Sequence, residues 1–190
     1  MYFILYIALL LIIIYIGSLI SYILGNFINN NINKSHHLNS VSVIIAVKNG
    51  EKALPKILSD LEKQTYQGES EYIIVDDESN DSTEEIIKQY SQKNKKIIYV
   101  SSKEGNKNLL LKKRALDAGI KKSQYDILIF TDVDCRLKKG WVNSMATCFN
   151  DKVDYVIGLS QISKSLNIVS HFQKVDLLMM MTAGRAKCNL

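Results

Sequence analysis

The sequence predicts an α/β protein with a mainly parallel sheet and flanking helices, preceded by one N-terminal transmembrane helix. The sheet is indicated by short apolar, β-branched runs that alternate four times with segments of helical periodicity, a pattern typical of βαβ units. The membrane helix is indicated by residues 1–24, which are almost wholly apolar. At about 1.5 Å per residue they are long enough to cross a hydrocarbon core about 30 Å thick.

We divide the chain into three parts on composition. Residues 1–26 are predicted to be a retained membrane anchor, because no Lys or Arg precedes Lys34 and a cleaved signal peptide would have a basic start and a shorter apolar core. Residues 27–40 form a polar, asparagine-rich tether. Residues 41–190 form the folded domain, which the positive-inside rule places in the cytoplasm. We therefore expect a single-pass protein of the cell membrane.

Composition limits the possible partners. The 190 residues are 47% hydrophobic and 23% charged, which indicates a globular chain. The net charge of +5 is spread over several segments with no arginine-rich stripe, so no nucleic-acid partner is expected. Solvated helix faces and attraction to anionic lipids or phosphorylated substrates both remain open. Three cysteines without metal-ligand spacing indicate a reducing compartment.

The elements of the folded domain follow from periodicity and turn residues. Strands are predicted at residues 41–47, 72–75, 97–100, 126–130 and 154–159. Helices are predicted at residues 51–64, 82–92, 109–121, 139–149 and 169–181, the last with an interfacial position as one option. Pro55 fits only the first turn of its helix, and residues 82–85 match a capping box.

Two acidic pairs follow predicted strands. Asp76 and Asp77 end one strand, and Asp132 and Asp134 follow another. Ligands of parallel α/β sheets bind outside the carboxyl ends of the strands, so the four carboxylates are expected at one edge, where they would repel each other without a cation. Mg²⁺ is usually held by one or two carboxylates plus substrate phosphates. The pattern predicts a metal–diphosphate site, with Asp76 and Asp77 towards the nucleoside.

Four segments, in order, resemble family 2 glycosyltransferases, whose fold is the Rossmann-like GT-A type. Residues 41–49 resemble the opening S-V-I-I-P-A-R-N strand, with Ala46 in place of proline. Residues 74–83 are similar to V-V-D-D-G-S-x-D-x-T, with Glu78 in place of glycine. Residues 111–120 resemble G-K-x-x-A-L-N-x-G-I, with Leu111 in place of glycine. Residues 131–135 match the D-x-D segment.

The resemblance implies a metal-assisted, inverting transfer of a sugar from a UDP- or GDP-sugar donor to a glycan or lipid-linked acceptor hydroxyl, for a cell-surface polysaccharide or glycolipid. It implies that Asp132 and Asp134 hold Mg²⁺ or Mn²⁺. The donor nucleotide would contact Ala46, Val47, Asn49, Glu51, Asp76, Asp77, Lys112 and Asp132. No acidic residue before Leu190 matches the family's catalytic base, so we expect the base beyond Leu190, in a longer enzyme of which this chain is a C-terminally truncated part.

Two alternatives stay open. A nucleotidyltransferase of related fold would also use carboxylate-held Mg²⁺, but it would want a glycine-rich basic loop after the first strand, which residues 48–50 do not supply. A non-catalytic nucleotide-sugar-binding protein would account for the missing base. The absence of a Walker-type loop and of G-x-G-x-x-G argues against P-loop NTPases and NAD enzymes.

Overall fold

The computed structural model describes residues 2–27, 38–151, 153–158, 160 and 168–188. It contains two compact units, one of residues 1–32 with 157–190 and one of Asn33–Val156. In chain order the elements are α1 (Tyr2–Phe27), β1 (Val41–Val47), α2 (Leu54–Glu62), β2 (Ser70–Asp76), α3 (Thr83–Lys93), β3 (Ile97–Ser101), α4 (Lys112–Lys122), β4 (Ile127–Phe130), α5 (Trp141–Ala146) and α6 (Ile168–Cys188). Most of the predicted tether, residues 28–37, lies outside the described part.

The first unit holds the two long helices, α1 and α6. Within the described residues, Phe3–Ser21 of α1 is the one stretch long and apolar enough to cross a membrane, with a mean hydropathy of 2.8 and no part of it buried. A signal sequence near an N-terminus has the same length and composition. The predicted helix at 169–181 is confirmed as part of α6, where Phe172 is 74% exposed.

The second unit is built on a four-stranded parallel sheet with strand order β3-β2-β1-β4. This confirms the predicted α/β class and its first four strands. The predicted fifth strand is wrong for residues 154–158: they are not in a strand, and the only pairing nearby is an isolated antiparallel bridge between Asn150 and Val153. Tyr155 is 80% exposed, so its side chain does not pack against the sheet. Leu159 lies outside the described residues.

Both faces of the sheet are covered, which explains the continuous apolar run of β1. Val43 and Ile45 face a core shared with α2, α3 and α5, whereas Ile44 faces a smaller core shared with α4. Helix α4 approaches closely at Gly119, where an added Cβ would lie 2.5 Å from Ile44 Cγ2. Helix α4 therefore lies against the strand next to the site.

All five predicted helices are present, but several bounds differ. Helix α2 begins three residues later than predicted, α4 begins at Lys112 rather than at residue 109, and α5 covers only Trp141–Ala146 of the predicted 139–149. Pro55 stands in the first turn of α2, as predicted. Helix α3 begins at Thr83, but the predicted capping box is wrong because Ser82 makes no side-chain cap. Asp81 caps instead, accepting hydrogen bonds from the Thr83 amide (3.1 Å) and hydroxyl (2.5 Å). The hydroxyl bond lowers the pKa of Asp81.

Candidate functional site

The carboxyl ends of three strands bring the predicted site residues to one edge of the sheet. Val47 ends β1 and is paired in register with Asp76, the last residue of β2. Asp132 follows the end of β4 by two residues. Because β1 lies between β2 and β4 and all are parallel, the two acidic pairs stand on either side of β1. Among the predicted residues, Val47 and Asp76 are buried, Ala46, Glu51 and Asp77 are half-buried, and Asn49, Lys112, Asp132 and Asp134 are exposed.

The loop after β1 is bonded to the loop after β2. The Asn49 amide donates to Ser79 Oγ (2.8 Å), and Asn49 Oδ1 accepts from the Asn80 amide (2.9 Å). The Asp77 amide donates to the Val47 carbonyl (2.7 Å), which extends the β1–β2 pairing past the strand ends. These contacts hold the predicted nucleoside-binding residues of both loops in one rigid surface.

Asp81 adds a second tie between the same loops. Its Oδ2 accepts from the Glu51 amide (3.1 Å) while its Oδ1 caps α3. Thr83 completes the link, since its Oγ1 accepts from the buried Gly50 amide (2.8 Å). The structure shows that Asp81 and Thr83 brace the β1 loop, a role that the sequence did not reveal.

Asp76 shapes the electrostatics of the neighbouring strand. Its carboxylate is 5% exposed and accepts from the Ser79 amide (3.3 Å). The negative charge of Asp76 also acts on Tyr99 of β3. The pKa of Tyr99 is raised to about 12, mainly by burial and in addition by the negative charges of Glu84 and Asp76. The Tyr99 hydroxyl thus keeps its proton as a hydrogen-bond donor near the buried carboxylate.

Lys112, at the start of α4, forms an ion pair and hydrogen bond with Asp132 Oδ1. The family resemblance implied that both residues contact the donor nucleotide, and that Asp132 also holds the metal, without predicting that the two side chains touch. Their side chains are 58% and 59% exposed, so the pair contributes little to stability. Both charges can therefore change partner when a diphosphate and a cation arrive.

Three residues with positive φ lie at this same edge. They are Asn49 (φ 52°), Glu78 (φ 56°) and Leu111 (φ 52°), the only non-glycine residues of the described part with this conformation. Asn tolerates the left-handed region, but Glu and Leu adopt it rarely. Glu78 and Leu111 also stand where the resembling family motifs have glycine. Backbone strain in this protein is therefore concentrated beside the predicted donor site.

The segment after D-x-D is anchored by residues that sequence reasoning missed. Asp60 of α2 is 6% exposed, and its carboxylate accepts from Arg136 Nε (2.7 Å), Arg136 Nη2 (2.9 Å) and the Leu137 amide (3.0 Å). The Arg136 guanidinium lowers the pKa of Asp60, mainly through the hydrogen bond. One signal was available: Asp60 lies between Ile57 and Leu61 on the apolar face of its helix.

The end of α2 supplies further ties. Gln64 Nε2 donates to the Lys138 carbonyl (2.9 Å), and Gln64 Oε1 accepts from the Val142 amide (3.0 Å). The Thr65 amide donates to the Lys139 carbonyl (2.9 Å). Residues 136–142 are therefore attached to α2 through Asp60 and to the residues just after α2 through Gln64 and Thr65.

The donor set fits a hard divalent cation. Asp132 and Asp134 offer exposed carboxylate oxygens at the sheet edge, and Mg²⁺ is commonly bound by one or two carboxylates plus substrate phosphates. The four acidic residues share an edge, but no group of three metal-capable side chains is formed among the residues that the structure describes. Phosphate oxygens would have to complete the coordination.

A surface cleft of about 450 Å³ lies at the opposite edge, next to the first residues of β2 and the segment before β4. It contains none of the predicted site residues. Glu71 lines it, 5% exposed, and accepts from Ser42 Oγ (2.6 Å) and the Gln124 amide (2.7 Å). Glu71 is thus a buried, hydrogen-bonded carboxylate at the end of the sheet away from the predicted site, as Asp76 is at the site end.

The chain is similar in sequence to known glycosyltransferases. The chain is 39% identical over 99 residues to 4,4′-diaponeurosporenoate glycosyltransferase of Staphylococcus haemolyticus, covering 52% of this chain and 25% of that protein. It is 34% identical over 122 residues to glycosyltransferase AglE of Haloferax volcanii, covering 62% of this chain and 38% of that protein. The chain thus spans well under half the length of these relatives.

The fold is similar to that of a solved enzyme, mannosyltransferase PcManGT from Pyrobaculum calidifontis in complex with GDP-Man and Mn²⁺. The TM-score is 0.56 at 19% identity, over 68% of this chain and 39% of that one. The model of the family described as Glycosyl transferase family 2 matches residues 42–174, well over half of the chain and including all three loops described above. The chain therefore belongs to glycosyl transferase family 2.

Proposed function

We propose that this chain binds a UDP- or GDP-sugar and transfers the sugar to an acceptor hydroxyl at the cytoplasmic face of a membrane. The observation that carries the proposal is the Lys112–Asp132 pair, which puts the predicted phosphate-binding cation and the predicted metal-binding carboxylate in contact at the sheet edge of a family 2 chain. A nucleoside diphosphate bears both the charge for Lys112 and the oxygens that a carboxylate-held metal needs.

The donor nucleotide would lie across the carboxyl ends of β1 and β2. Asp76 and Asp77 would accept hydrogen bonds from base N–H or ribose hydroxyl groups. Ala46, Val47, Asn49 and Glu51 would form the neighbouring wall, since the bonded loops hold them beside Asp76. Lys112 would exchange Asp132 for a phosphate oxygen, a change that costs little because the existing pair is solvated.

Asp132 and Asp134 would hold Mg²⁺ or Mn²⁺. When bound, such an ion stabilises the negative charge that develops on the leaving nucleoside diphosphate. The protein's own contribution would be the two carboxylates together with Lys112, which the start of α4 brings to Asp132. We assign no catalytic base among the described residues.

The membrane and the acceptor complete the proposal. Residues 1–26 would anchor the chain and 27–40 would tether the domain of residues 41–190. The acceptor would be a glycan or lipid-linked hydroxyl, in line with cell-surface glycan synthesis. Donor class and metal are supported by the similar mannosyltransferase fold solved with GDP-Man and Mn²⁺.

The test is a donor-binding assay on the full chain in detergent, with a panel of UDP- and GDP-sugars, with and without Mn²⁺. The double variant Asp132→Asn/Asp134→Asn should lose metal-dependent binding. Asp126→Asn is the matched control, because this exposed residue precedes the same strand at its opposite end. Normal Mn²⁺-dependent binding by the double variant would refute the site. Donor binding without transfer to any acceptor would favour the non-catalytic alternative.

A further inference from the structure

We propose that Asp60 is a positioning residue for the D-x-D carboxylates, acting through Arg136. The inference rests on the proposed function, because it assigns to Asp60 the support of Asp132 and Asp134 in metal binding. Asp60 stands on α2, far from D-x-D in sequence, and belongs to none of the motifs that suggested the site.

The first step is the geometry of the contact. Arg136 follows Asp134 by two residues, and both Arg136 bonds to Asp60 are short and run to different carboxylate oxygens (2.7 and 2.9 Å). Such a bidentate pair fixes direction as well as distance. The Leu137 amide adds a third bond (3.0 Å), so backbone and side chain of the segment are held at the same point.

The second step concerns the contacts, other than those of Asp60, that hold the D-x-D segment in place. Asp132 and Asp134 are exposed, and their segment is held by the Thr131 amide to Ile44 carbonyl bond (3.4 Å), the local Cys135 amide to Asp132 carbonyl bond (3.2 Å), the packing of Val133 against the main core and the solvated pair with Lys112. In the described residues no buried group bonds to either carboxylate. The nearest fixed point on the C-terminal side is therefore Asp60.

The third step separates positioning from plain stability. Asp60 is nearly buried, whereas the Arg136 side chain is 63% exposed. An interaction that only stabilises the core does not require a largely exposed arginine. An arginine that anchors a surface loop remains largely exposed, because its side chain extends from the loop to a buried partner. Removing a side chain that orients a metal ligand typically weakens metal affinity about 10–100-fold.

The experiment measures Mn²⁺ binding to the full chain in detergent, with UDP or GDP present, from the electron paramagnetic resonance signal of free Mn²⁺. Asp60→Asn should weaken Mn²⁺ binding at least about 10-fold. Arg136→Lys, which keeps the charge but cannot bond both oxygens, should fall between wild type and Asp60→Asn. Glu71→Gln is the control, since it removes an equally buried, bonded carboxylate at the opposite edge.

Hydrogen exchange supplies a readout that does not depend on ligand. In Asp60→Asn the Leu137 amide should exchange faster, together with residues 131–139, while β1 and β2 stay protected. Far-ultraviolet circular dichroism checks folding, and if Asp60→Asn does not fold, Arg136→Lys alone decides.

Three results are informative. Weakened Mn²⁺ binding in Asp60→Asn and Arg136→Lys but not in Glu71→Gln supports the inference. Wild-type Mn²⁺ affinity in Asp60→Asn, with faster Leu137 exchange, overturns it and leaves Asp60 a stabilising residue only. If wild-type protein binds no Mn²⁺ with either nucleotide, the proposed function itself fails, and the inference with it.

Discussion

Replacing Leu111 by glycine should make the protein more stable. Leu111 has φ 52° and ψ −140°, a region essentially reserved for glycine, and it immediately precedes Lys112. Its side chain is 73% exposed, so almost no packing is lost with it. The change therefore removes strain without removing a buried contact.

The magnitude follows from two opposing effects. Relief of this backbone strain is worth about 2 kcal/mol, and the greater freedom of glycine in the unfolded chain costs about 1 kcal/mol. The net gain in the free energy of unfolding is about 1 kcal/mol. With a slope of about 2 kcal/mol per molar urea, the unfolding midpoint should rise by about 0.5 M.

The neighbouring leucine provides a matched control. Leu110 is 76% exposed but has no positive φ, so Leu110→Gly brings only the entropic cost and should lower the midpoint. Unfolding is followed in detergent through the fluorescence of Trp141, the single tryptophan, which packs against the main core. If both glycine variants are destabilised alike, the strain assigned to Leu111 does not exist.

Three further predictions concern packing and titration. Gly119→Ala should lower the free energy of unfolding by about 1 kcal/mol. Overpacking of the new Cβ against Ile44 costs about 1–3 kcal/mol, which exceeds the gain of about 1 kcal/mol in helix propensity. An unchanged urea midpoint would contradict this prediction. Asp60 has a lowered pKa when folded, so its stabilisation is complete above the unfolded value of about 3.9 and is lost as pH falls through the folded value. The urea midpoints of wild type and Asp60→Asn should therefore converge below about pH 4, and a constant difference down to about pH 3 would refute the assignment. The pKa of Tyr99 is raised to about 12 in the folded protein, so its contribution to stability should fall from about pH 10 to 12. Tyr99→Phe should remove the part of the ultraviolet titration near pH 12, and an unaltered curve would count against the shift.

The strand–helix order and the shared edge of the acidic residues were accessible from the sequence. Buried parallel strands leave continuous apolar runs, and β1 and β2 are covered on both faces, so their signal was strong. The run at residues 154–158 is also rich in apolar residues, but it pairs with no strand in the part of the chain that the structure describes, and pairing is a tertiary property.

The caps and anchors could not be predicted in the same way. Asp81, rather than Ser82, caps α3 because its carboxylate also reaches the Glu51 amide of another loop. The apolar periodicity of α2 showed that Asp60 is a charged residue on an otherwise apolar helix face. It did not indicate the partner of Asp60, because Arg136 is distant in sequence.

Local patterns by themselves determined the first four strands, the order and approximate positions of the helices, the apolar N-terminal helix and the kind of chemistry that carboxylates after strands can support. They could do so because hydrophobic period and turn chemistry are properties of neighbouring residues. Only the tertiary structure decided that Lys112 touches Asp132, that Asp60 holds the segment after Asp134, and that strain collects at Glu78 and Leu111. Those features depend on which side chains meet across the sheet edge, and contacts between distant segments are set by the packing of the whole domain.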